Sequence, residues 1–145
     1  PDAPDAITSN AGWDTIKYES MLADIISDLK SCGIRTSIFV DTELKHIEGA
    51  AKINTDRIEL YTESYATEFP SDKFLAIVPF IEAAKLAHDI GLGINAGHDL
   101  NLENLSFFAS NIPHLDEVSI GHALISDALY LGLEETVKRY KNCLK

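Results

Sequence analysis

The chain has 145 residues, 46% hydrophobic and 24% charged, which is the size and make-up of one globular domain with one core. Its 23 acidic residues against 12 basic ones give a formal net charge of -11, which argues against nucleic acid and against anionic membrane surfaces as partners. Phosphate ligands stay open, because backbone N–H groups at helix N-termini bind anions without Lys or Arg.

The opening Pro1-Asp2-Ala3-Pro4, without an initiator Met or a strand ahead of it, reads as part of something longer, and residues 1–12 read as loop. From Asp14, apolar residues at Ile16, Met21, Leu22, Ile25, Ile26 and Leu29 follow a helical period that Gly33 stops. Arg35–Asp41 is a β-rich run closed by an acid, and Thr42 is placed to cap the next helix. Arg57–Thr62 is a second such run, in which Ile58 and Leu60 alternate with Glu59 and Tyr61. Residues 63–70 are expected to form a loop, followed by a helix to about Asp89 that Pro79 kinks or restarts.

Gly91 ends that helix, and Leu92-Gly93-Ile94 reads as a buried strand breaking into Asn95-Ala96-Gly97-His98-Asp99. Asn101 is placed to cap a helix carrying Leu102, Leu105, Phe108 and Ala109, closed by Ile112-Pro113. Val118-Ser119-Ile120-Gly121-His122 repeats the strand-to-helix corner, and a short helix Ala123–Leu131, a break at Gly132 and a last helix complete the chain. The order is one helix and then four strand–helix units, so the strands are expected to be mostly parallel. A short extra helix after the last strand matches the phosphate site of eight-stranded α/β barrels. A complete barrel needs about 250 residues, so the chain would hold the last four strands.

Ligands of parallel α/β folds sit where strands end and helices begin. His98 stands at such an end beside Gly97, where an imidazole could donate or accept a proton; the competing reading is a turn histidine bonded locally. Glu59 faces the barrel interior if Ile58 and Leu60 face the helices, and a carboxylate there is costly unless paired or catalytic; the opposite orientation suits an edge strand. Gly121 and His122 form either a phosphate cradle of backbone N–H groups or merely a tight turn. Asp41 reads as a cap, and His46, His88 and His114 as solvent-facing. Trp13 and Tyr18 read as packing residues. Metal-ligand spacing, a nucleophile elbow and the dinucleotide and P-loop glycine patterns are all missing, so no metal and no cofactor is expected. No apolar run reaches the roughly 20 residues that span a bilayer, and Cys32 and Cys143 read as reduced residues of a cytoplasmic protein.

Asn95-Ala96-Gly97-His98 followed by Ser119-Ile120-Gly121-His122-Ala123 resembles the pyridoxine 5'-phosphate synthase family. Pro1, the Thr8-Ser9 loop, the strand around Ile58-Glu59-Leu60 and the Thr62…Tyr65-Ala66 stretch extend the likeness over nearly the whole chain. The resemblance implies the C-terminal part of a single (β/α)8 barrel domain, residues 1–145 being that part, in a homo-oligomer that is an octamer by family analogy. It implies condensation of 3-amino-2-oxopropyl phosphate with 1-deoxy-D-xylulose 5-phosphate to pyridoxine 5'-phosphate, phosphate and water. By that likeness His98 is the proton donor and Glu59 stabilises charge in the transition state. Thr8 contacts the deoxyxylulose phosphate, while Asp99, Gly121 and His122 hold the amino-oxopropyl phosphate. Asp99 stands where Gly can occur in the family, Glu63 stands in a loop where relatives have Gly, and Ala11-Gly12-Trp13 replaces a more usual Gly-Gly-Leu. The alternatives are a non-catalytic flavodoxin-like open-sheet domain and another phosphate-binding barrel enzyme. The segment alone is expected to be inactive and poorly stable, with an open sheet edge and an exposed apolar face.

Overall fold

The structure, a computed structural model, describes residue 2 and residues 4–145; the Pro1 end of the family likeness lies outside the described residues. The elements are α1 (Glu19–Ser31), β1 (Ser37–Val40), α2 (Leu44–Lys52), β2 (Arg57–Tyr61), α3 (Glu63–Asp89), β3 (Gly93–Gly97), α4 (Leu105–Asn111), β4 (Leu115–Ser119), α5 (His122–Leu131) and α6 (Leu133–Asn142). The four strands form one parallel sheet in the order β1-β2-β3-β4. That order never reverses. A doubly wound, flavodoxin-like sheet has a switch point where the order turns back and helices move to the other face.

Alternation along the strands sorts the side chains. Ile38, Val40, Ile58, Leu60, Ile94 and Ala96 lie on one face and are buried under the helices. The other face carries Ser37, Phe39, Arg57, Glu59, Tyr61, Asn95, Glu117 and Ser119, of which only Asn95 is buried. The uncovered sheet face is thus polar. The apolar exposure expected of the segment lies not on the sheet but on helices, at Met21 and Ile25 of α1 and Ile125 and Leu129 of α5.

One irregularity tunes the polar face. Ile94 pairs with Leu115 but Asn95 pairs with Glu117, so Asp116 is an extra residue in β4. Its carboxylate accepts the Ile94 N–H at 2.9 Å, replacing the lost ladder bond. The shift sets Glu117 on the same face as Asn95 and Arg57. The Arg57 guanidinium donates to Asn95 Oδ1 at 2.8 Å and lies 3.4 Å from Glu117, while Arg35 reaches Glu117 at 3.2 Å.

Several boundaries differ from the pattern in the sequence. Asp14 does not start α1: its carboxylate accepts the N–H groups of Ile16 and Lys17 in a turn, and the helix begins at Glu19. Thr42 does not cap α2, whose N-cap is Glu43 without a side-chain bond. Residues 63–70 are helix rather than loop, because Tyr65 buries its ring against Phe69, Phe80 and Phe108 and so holds this turn-rich stretch on the core. The break in α3 falls at Asp72 (φ -153°, ψ 94°), not at Pro79. Asp72 accepts the N–H groups of Phe74 and Leu75, each at 3.0 Å, and so restarts the helix as a cap would. His46 is not solvent-facing: its side chain is 14% exposed and its Nδ1 is buried without a partner. Gly91 (φ +84°) ends α3 as expected, and Gly132 (φ +79°) separates α5 from α6. Both cysteines are free, at the C-caps of α1 and α6. Among the described residues no helix is long and apolar enough to cross a membrane.

Candidate active site

The C-terminal end of the sheet gathers every residue that the sequence singles out for chemistry. A cavity of about 370 Å³ opens there, lined by Glu59, His98, Ser119, Ile120, Gly121 and His122. The two Gly-His corners therefore share one mouth. β3 and β4 run side by side in register, Gly97 against Ser119, so their ends emerge together. The His98 N–H still donates to the Ser119 carbonyl at 3.3 Å, carrying the ladder one residue past the strand.

Gly97 is required by close approach. A Cβ there would overlap the Ser119 carbonyl and side chain and come within 2.9 Å of the Glu59 carboxylate. The absent side chain leaves the space in which Glu59, from the middle of β2, reaches the cavity. Gly121 differs: a Cβ would meet nothing within 4 Å, so its surroundings are open rather than crowded. It is the N-cap of α5, and no side chain caps the helix. The first N–H groups of α5 thus point outward without an intrahelical acceptor, a favourable place for an anion.

His98 is held on several sides. Its backbone has φ +92°, a conformation that side-chain-bearing residues seldom adopt. Thr62, fully buried at the end of β2, secures the turn: its hydroxyl donates to the Gly97 carbonyl at 2.7 Å and accepts the Asp99 N–H at 3.1 Å. Tyr61 packs edge-on against the imidazole, centroids 5.4 Å apart, with Phe39 at 6.3 Å. Burial, then the carboxylates of Asp99 and Glu63, hold the Tyr61 phenol above its ordinary pKa, so it stays a donor, here to the Ser9 carbonyl at 3.2 Å. Nε2 of His98 lies 2.9 Å from Thr8 Oγ1, and Nδ1 lies 2.9 Å from Asp99 Oδ2.

The structure thus brings Glu59, His98, Gly121 and His122 around one cavity and ties Thr8 and Asp99 to the His98 ring. The Asp99 carboxylate is not part of the cavity wall. Thr62, Tyr61, Phe39 and Ser119 complete the surroundings. Alternation with Ile58 and Leu60 was the signal for Tyr61; no local signal marks Thr62, whose bonds cross from β2 to β3. Two further cavities open at the opposite end of the sheet, around His114, Leu115 and Asp116, away from these residues. Among the described residues no group of three or more His, Cys, Asp or Glu could hold a metal ion.

The family model described as "Pyridoxal phosphate biosynthesis protein PdxJ" matches residues 1–145. A pyridoxine 5'-phosphate synthase of Parabacteroides distasonis is 65% identical over 144 residues, covering 99% of this chain and 60% of that protein. Proteins of the same name from Cytophaga hutchinsonii and Christiangramia forsetii are 62% and 59% identical over 145 residues, each covering all of this chain and 61% of theirs. The chain spans about 60% of the length of the curated relatives it matches. The family match runs from the first residue to the last through both Gly-His corners, and the chain belongs to the pyridoxal phosphate biosynthesis protein PdxJ family.

Proposed function

We propose that this chain is the C-terminal part of a pyridoxine 5'-phosphate synthase, residues 1–145 supplying the last four strand–helix units of one (β/α)8 barrel domain. The relatives' shared name supports the activity. The unreversed strand order, the helices confined to one face and the polar opposite face support the barrel, since a closed sheet keeps its helices outside. The reaction is the condensation of 3-amino-2-oxopropyl phosphate with 1-deoxy-D-xylulose 5-phosphate to pyridoxine 5'-phosphate, phosphate and water. By the same family likeness the protein is a cytoplasmic homo-oligomer.

The observation that carries the reading is the single cavity shared by His98, Glu59 and the Gly121-His122 corner. The reaction forms an imine, loses water and phosphate and closes a ring, so it moves protons at nearly every step. His98 is the proton donor, acting at Nε2, with the ring aligned by Tyr61 and Phe39. Glu59, fixed in the middle of β2, stabilises positive charge developing on the substrate nitrogen and carbons. The open N-terminus of α5 receives the phosphate of the amino-oxopropyl substrate through backbone N–H groups of the Gly121-His122 corner, and the Asp99 backbone borders it on the β3 side while its carboxylate lies on the His98 ring. Thr8, in contact with Nε2, meets the deoxyxylulose phosphate where the proton is exchanged.

The test is His98→Asn in the full-length chain, assayed for pyridoxine 5'-phosphate from the two phosphates. Asn tolerates a positive φ, so the fold survives. Turnover falls by about 100-fold or more, the usual scale for removing a general acid. Undiminished turnover would remove His98 from the mechanism.

A further inference from the structure

The imidazole of His98 has two nitrogens, and the proposed chemistry uses one. A neutral imidazole carries one proton, and which nitrogen holds it decides whether the other can act. Nδ1 faces the Asp99 carboxylate at 2.9 Å, and an ionised carboxylate only accepts hydrogen bonds. Nδ1 is therefore the protonated nitrogen. Nε2, 2.9 Å from the Thr8 hydroxyl, is left to take up or release the working proton.

Asp99 is itself held in place from the core. Its N–H donates to the fully buried Thr62 hydroxyl, and its carbonyl accepts from Asn104 Nδ2 at 3.2 Å. Asn104 is buried too: it exchanges bonds with Asn101, and its carbonyl accepts the Tyr65 hydroxyl at 2.8 Å. The backbone on both sides of the Asp99 side chain is thus fastened to the cores of α3 and α4. The carboxylate, absent from the cavity wall, is turned onto the ring.

We propose that Asp99 is a positioning residue that keeps the proton on Nδ1 of His98, so that Nε2 alone exchanges protons with the substrate. In donation, the imidazolium releases its Nε2 proton to the substrate and remains neutral with Nδ1–H bound to Asp99; in acceptance the same proton returns to Nε2. The inference rests on the proton-donor reading of His98, and its test has a readout separate from turnover.

The experiment is nitrogen NMR of the full-length protein carrying ¹⁵N-labelled histidine, with the His98 signals identified by their loss in His98→Asn. At a pH where the ring is neutral, the wild type gives the Nδ1–H pattern. Asp99→Asn and Asp99→Gly move His98 toward the Nε2–H pattern, because an amide can donate as well as accept and Gly offers no partner. In the same variants kcat falls by about 10- to 100-fold, while KM for both phosphates changes by less than about two-fold. Asp99→Glu, which keeps a carboxylate, recovers part of the kcat. A wild-type His98 in the Nε2–H form, or a tautomer unchanged in both variants, overturns the proposal. So does a rise in KM at constant kcat, which would make the carboxylate a binding group. Full activity of His98→Asn would instead overturn the proton-donor reading and leave the tautomer result standing.

Discussion

At the scale of single residues, one carboxylate away from the cavity ties stability to pH. Asp56, at the N-terminal end of β2, accepts the Thr36 N–H at 2.7 Å and the Lys30 ammonium at 2.9 Å. The backbone donor first, and the Lys30 side chain second, hold its carboxyl at about 2, below the ordinary 3.8. A carboxyl that binds its proton more weakly when folded stabilises the fold only while ionised. The contribution is complete above about pH 4 and is lost as pH falls through 2. The side chain is 32% exposed, so after solvent screening it amounts to about 1 kcal/mol. Urea denaturation of the wild type and Asp56→Asn across that range checks it. The wild type loses stability more steeply toward acid, and parallel curves would count against the assignment. The same scale shows what a sequence conceals. Asp56 is one of 23 acids and carries no motif. Nothing in the sequence ties the Asp99 side chain to the neighbouring imidazole; only its 2.9 Å distance to Nδ1 does.

At the scale of elements, periodicity was enough for every strand and helix that buries an alternating or 3.6-residue face. The first two strands, the Gly91 stop and the Gly132 break fall where the pattern puts them, whereas β3 runs on through Asn95 to Gly97, where the pattern has a turn, and β4 runs from Leu115 only to Ser119, short of the Gly121-His122 corner. The first half of α3 was illegible because its sequence, ESYATEFPS, is polar and holds a proline, while its reason for being helical is a single ring. Tyr65 touches Phe69 one turn on in α3, but its other two aromatic partners, Phe80 and Phe108, lie too far along the chain to form a local pattern. Alternation set Glu59 and Tyr61 opposite Ile58 and Leu60 but left open which pair faces the helices, and the burial of Ile58 and Leu60 decides it; no local pattern marked the cross-strand latch at Thr62. That latch makes a prediction of its own. Thr62→Val keeps the shape and removes the hydroxyl, leaving the Gly97 carbonyl and the Asp99 N–H without this partner in a buried place. The loss of stability is about 2 kcal/mol, since each stranded buried group costs roughly 1–3 kcal/mol and the turn relaxes in part. Thr62→Ser, which keeps both bonds, stays within about 1 kcal/mol of the wild type. Chemical denaturation measures both. Equal losses in the two variants would mean that the methyl group, not the hydroxyl, holds the turn.

At the scale of the whole molecule, the proposed barrel and the open-sheet alternative make opposite statements about the 145 residues taken alone. Among the described residues β1 and β4 each have one strand neighbour; the outer edge of β1 is met only by the Trp13 N–H, which donates to the Phe39 carbonyl at 2.7 Å, so both edges lack a partner strand. The polar face that would line a barrel lies open, and α5 buries none of its residues, leaving Ile125 and Leu129 exposed. An open-sheet domain of this length would have both faces covered and would unfold as one cooperative monomer. A barrel part would not: its edges lack partners, and its net charge of -11 would slow self-association without filling them. We therefore expect the isolated segment to unfold with low cooperativity and to form no pyridoxine 5'-phosphate. Adding the preceding segment of the Parabacteroides distasonis relative as a separate chain should restore both a cooperative transition and turnover. The physical reason is that the edges of β1 and β4 and the exposed side of α5 supply recognition that needs no covalent link. Denaturant titration with sedimentation of each piece and of the mixture decides it. A monomeric, cooperatively melting 145-residue product that ignores the added segment would mean that four strands suffice, and the barrel reading would fall.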